Sequence, residues 1–121
     1  EAYLTAAKAG DPLGAFFVGY LSISFAKTAK EYRYGAQYLK SAADKGLPVA
    51  MANLGVLTFE GKGVLQDFVE GYAWLTVAAA GGLSGAIDVR DSLALQMTPT
   101  QINAANVMSQ ELWDTLKLPL N

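Results

Sequence analysis

The sequence predicts an all-α protein, an α–α superhelix of helix-turn-helix repeats closed by a C-terminal capping helix. Three observations carry that reading. Gly10, Gly46 and Gly82 stand 36 residues apart. The pairs Ala6-Ala7, Ala42-Ala43 and Ala78-Ala79 keep the same offset from them, and so do the aromatics Tyr38 and Trp74, with Ala2 in the first copy. Gly19 with Gly55, Tyr32 with Phe68, and Gly35 with Gly71 then extend the register. A fixed period of this length is the mark of a helical array, in which each unit buries its apolar face on the next.

Taken in order, the period places helices at roughly 2–9, 12–26, 30–45, 48–60, 67–81 and 84–97. Tyr38, Leu39, Ala42 and Ala43 form one helical face. Gly46 ends that helix, because glycine takes the left-handed conformation without a Cβ clash. Pro48 suits the first turn of the next helix, which carries Val49, Ala50, Ala52, Leu54, Val56 and Leu57 and stops at Gly61 and Gly63. Asp67 and Glu31 precede helix starts and read as N-caps. The last segment leaves the period. Thr98-Pro99-Thr100-Gln101 is a capping box, and Ile102, Ala105, Met108, Leu112 and Leu116 follow at spacings of three or four. The units therefore fall at about 1–30, 31–66 and 67–97, with a capping helix over 98–117. The chain opens in what reads as the middle of a helix, so it is expected to be the C-terminal part of a longer chain.

Composition agrees. Twenty of the 121 residues are alanine, which favours closely packed helices. The net charge of −2, with no clustered basic face, argues against nucleic acid. With neither Cys nor His, thiolate and imidazole chemistry is excluded, and no cofactor or metal is expected. The uncharged run from Gly71 to Ile87 is broken by glycines and is too short for a membrane span.

The middle of the chain resembles a known family. Ala42-Ala43-Asp44-Lys45-Gly46, Ala50-Met51-Ala52-Asn53-Leu54-Gly55, Gly61-Lys62-Gly63-Val64-Leu65-Gln66-Asp67-Phe68 and Trp74-Leu75-Thr76-Val77-Ala78-Ala79 are similar to the Sel1-like repeats, relatives of the tetratricopeptide helical repeats. The match is fullest over residues 38–82. The flanks depart from it: Phe25-Ala26-Lys27 replaces the Gly-x-Gly loop in the first unit, and Arg90-Asp91 replaces Leu54-Gly55 in the third. The resemblance implies an adaptor or scaffold for a protein or peptide partner, commonly in bacterial envelope, secretion or signalling settings. The alternative it implies is an enzyme or binder acting on cell-wall or β-lactam-type ligands.

Catalytic candidates are few. Ser24-Phe25-Ala26-Lys27 matches S-x-x-K, a nucleophile motif, but its companion motifs are missing and so short a match arises by chance. Asp88 with Asp91, and Glu111 with Asp114, are carboxylate pairs three apart that read as solvated helix faces. No catalytic residue is assigned. The first helix of each unit is expected to present a partner-binding row: Tyr34, Gln37, Ser41 and Asp44 in the second unit, and Glu70, Ala73 and Val77 in the third. Tyr34 leads, since tyrosine joins an apolar body to a polar tip.

Overall fold

A computed structural model describes residues 2–116 as seven helices: α1 (Ala2–Lys8), α2 (Pro12–Ser24), α3 (Ala29–Asp44), α4 (Pro48–Glu60), α5 (Phe68–Ala80), α6 (Ala86–Ala94) and α7 (Pro99–Leu116). Glu1 of the first expected unit and Lys117 of the expected capping segment lie outside the described residues. The all-α expectation holds, with no strand among the described residues.

The alanine pairs and the period glycines work together at each turn. Gly10, Gly46 and Gly82 have φ of 92°, 88° and 100°. In each case the glycine N–H donates to the second alanine of the pair: to Ala7, Ala43 and Ala79 at 3.0, 2.9 and 3.0 Å. The next residue donates to the first alanine: Asp11 to Ala6, Leu47 to Ala42 and Leu83 to Ala78. The left-handed glycine thus closes the helix by satisfying carbonyls that would otherwise be left without a partner. The alanines themselves are small enough to sit at the crossing, and Ala42, Ala43 and Ala78 are fully buried.

Glycines also set how close the units approach. A Cβ on Gly19 would stand 2.9 Å from the carbonyl oxygen of Gly35, and one on Gly35 would stand 3.1 Å from that of Gly19. Gly55 and Gly71 repeat the arrangement at 2.9 and 2.8 Å. The backbones of α2 and α3, and of α4 and α5, therefore touch at reciprocal glycine pairs one period apart. At the third position of the register stand Asp91 and Val107. Side chains there forbid the same contact, and α7 lies against α5 rather than α6.

That placement refines the expected cap. α7 was expected to cover the terminal face of the last unit; it covers the first helix of that unit. Ala105 and Ser109 are buried in the contact, and Leu112, Trp113 and Leu116 pack half-buried against the core. The capping box is formed: Thr98 N–H donates to Gln101 Oε1 at 2.9 Å, and Gln101 N–H donates to Thr98 Oγ1 at 3.1 Å.

Two local expectations are corrected. α3 begins at Ala29, so Glu31 is not its N-cap. Thr28 caps the helix and Glu31 answers from inside the first turn, its carboxylate accepting from Thr28 N–H at 3.0 Å. The extra turn occupies the register that the glycine loop fills in the second unit. α6 is shorter than expected and buries only Ala86. Arg90, the register mate of buried Leu54, cannot enter the core; its guanidinium instead lies over the Tyr72 ring at 5.1 Å and pairs with Asp91 at 3.0 Å.

Candidate binding groove

α3, α5 and α7 together line a groove on one side of the array. The register positions the α3 and α5 walls, and packing on α5 positions α7. Asp67 caps α5, its carboxylate accepting from Glu70 N–H at 3.0 Å, which fixes the first turn of that helix. Trp74 comes one helical turn after Glu70, 2% exposed, and forms the floor. Met108, Glu111 and Leu112 enter from α7 on one side, and Lys40 and Asp44 from α3 on the other. This cavity has a volume of about 420 Å³. A second cavity of about 280 Å³ adjoins it between α3 and α4, lined by Ala36, Gln37, Leu54 and Val64, and Lys40 and Glu70 line both.

The charge in the groove is uneven. Lys40 Nζ pairs with Asp44 Oδ2 at 2.8 Å, one helical turn away. Among the described residues neither Glu70 nor Glu111 has an ion-pair partner. The rim carries three carboxylates against one ammonium.

The expected binding row is only partly assembled here. Gln37 and Glu70 are brought together on the groove, and Asp44 joins them. Ser41 is exposed but lines neither cavity. Tyr34 is 47% exposed, edge-on to Tyr38 with ring centroids 5.2 Å apart, and lines a separate hollow with Leu21 and Phe25. Ala73 and Val77 are wrong as surface residues: they are 0% and 1% exposed. α5 is packed by α4, α6 and α7 at once, so the middle of this helix is enclosed and it reaches the groove only through Glu70 and Trp74. Lys40, Met108 and Glu111 were missed. The amphipathic pattern of α7 showed which side it buries, but not that its polar edge would flank α3.

Ser24, Asp91 and Asp114 among the catalytic candidates are taken up by local contacts. Ser24 Oγ donates to the Tyr20 carbonyl of its own helix at 2.8 Å, the ordinary back-bond of a helical serine. Lys27 lies beyond the end of α2. Asp91 is engaged by Arg90, and Asp114 accepts from Gln110 Nε2 at 3.0 Å. Among the described residues no group of acidic side chains gathers to hold a metal ion. No described helix is long and apolar enough to cross a membrane.

No family model and no curated protein matches the chain. Solved structures do. The crystal structure of c5321, a protective antigen present in uropathogenic Escherichia coli strains and displaying an SLR fold, aligns with a TM-score of 0.86 at 24% identity, over 94% of this chain and 25% of that one. A Sel1 repeat protein from Oxalobacter formigenes aligns at 0.67, also with 24% identity, over 93% of this chain and 33% of that one. The chain thus spans between a quarter and a third of the length of the proteins it matches. With the glycine-closed helix pairs, the reciprocal glycine contacts and these alignments in agreement, the chain has the Sel1-like repeat fold.

Proposed function

We propose that this chain is a protein-interaction module that holds a protein or peptide segment in the α3–α5–α7 groove. The observation that carries the reading is the groove itself: two adjoining cavities with an apolar floor and a charged rim, built on repeat helices and on α7, which packs against α5. A surface on packed helices is already ordered before a partner arrives, so little conformational entropy is lost on binding. The reading is of binding and not catalysis, since nothing in the groove pairs a nucleophile with a base.

The test is selection of binding peptides from a random library displayed on phage, using the whole chain as bait. Peptides that bind should lose most of their affinity for the double variant Gln37→Trp with Thr115→Trp, which sets a large ring in each cavity from an exposed position and leaves the charges as they were. Asp88→Lys on α6 should change nothing. Selected peptides indifferent to the groove variant would place recognition on another surface, and the reading would fall.

A further inference from the structure

We infer that the groove is specific for an extended segment carrying a lysine or arginine between two aliphatic side chains. This rests on the reading of the groove as the partner-binding surface. Two features of the site define the occupant. The first is the division of the groove: Lys40 and Glu70 line both cavities and form the saddle between them. One cavity offers Trp74, Met108 and Leu112, the other Ala36, Leu54 and Val64, so each receives an apolar group. In an extended peptide alternate side chains face the same way, about 7 Å apart. A segment with three such side chains offers one apolar group to each cavity and the middle one to the residues that both share.

The second feature is the charge at the saddle. The Lys40 ammonium is engaged by Asp44, so it is not the group that a ligand meets unopposed. Glu70 and Glu111 have no ion-pair partner among the described residues. A cation set down between the cavities meets the Glu70 carboxylate, with Glu111 adding the same sign from α7. An acidic residue at that place meets like charge beside low-dielectric walls, which raises the cost of bringing it in. A neutral residue fills space and leaves the carboxylates as they were. Charge complementarity therefore selects the basic segment.

The experiment measures fluorescence anisotropy of three labelled peptides with the whole chain. The probes share flexible Gly-Ser flanks around the cores Leu-Ser-Lys-Ser-Leu, Leu-Ser-Glu-Ser-Leu and Leu-Ser-Met-Ser-Leu. The lysine peptide should bind on the order of 10-fold tighter than the glutamate peptide, and less so as salt rises, because the charges are partly solvent-exposed. Glu70→Gln should weaken the lysine peptide by about 2–5-fold and leave the methionine peptide unchanged. Circular dichroism of the variant checks that the fold is intact. Equal binding of all three peptides, still blocked by Gln37→Trp with Thr115→Trp, would overturn the charge selectivity and leave the groove as the binding surface. Failure of all three to bind, or binding that survives the Gln37→Trp and Thr115→Trp pair, would overturn both.

Discussion

A methyl group at Gly55 would stand 2.9 Å from the Gly71 carbonyl oxygen, backbone against backbone, with no flexible side chain to move aside. In an exposed helix the change from glycine to alanine is favourable by up to about 1 kcal/mol. Here the helices must separate, so Gly55→Ala should instead destabilise by about 1–3 kcal/mol, the usual cost of overpacking. Gly19→Ala should behave alike. Thermal melts followed by circular dichroism give the sign directly, and a Gly55→Ala chain that melts higher than the parent would refute the close approach. Trp74 is the opposite case, a large ring that the core cannot replace. Trp74→Ala should cost about 3–5 kcal/mol and leave much of the chain unfolded, as read from a denaturant titration. These residues were legible from their spacing. Their partners were not: the register paired Gly55 with Gly19 as equivalents, whereas the contact pairs it with Gly71.

α3 and α7 carry the predictions at the scale of the element. The backbone N–H of Lys27, aided by the hydroxyl and N–H of Thr28, holds the Glu31 carboxyl below the usual glutamate range. A depressed pKa in the fold means that the stability Glu31 adds is present above its unfolded value and is lost as the pH falls through the folded one. The first turn of α3 should therefore loosen with acid, seen as chemical-shift movement of the Lys27 and Thr28 amides as the pH falls below the usual glutamate range. Glu31→Ala should remove that titration from both amides. For α7 the expectation is sharper. Ending the chain after Met97 removes the helix that packs on α5 and strips that side of its cover. The shortened chain should self-associate, with scattered light rising with concentration. A monomeric product of equal helicity per residue would show that α7 is dispensable to the fold. The capping box of α7 and its apolar stripe could be read from spacing alone. Its seat on α5 could not, because spacing fixes which face a helix buries and not which helix receives it.

Across the whole molecule the packing is uneven. α4 and α5 each bury seven residues, α6 buries one and α1 none. In a linear array, local opening follows the number of buried neighbours, so amide exchange should be slowest in α4 and α5 and fastest in α1 and α6. Uniform protection along the chain would mean that the units open together. The class of the fold and its helices were plain from the 36-residue register. The groove was half plain: Gln37 and Glu70 were found on the outward stripe of their helices, but the wall supplied by α7 lies outside the period and had no register to reveal it. Trp74 belongs at once to the core and to the floor of that groove. On the proposed reading of the groove, a mutation there alters recognition only by endangering the fold, so a change of partner proceeds through Lys40, Glu70 and Glu111. The rim is free to evolve, and the floor is inherited as it stands.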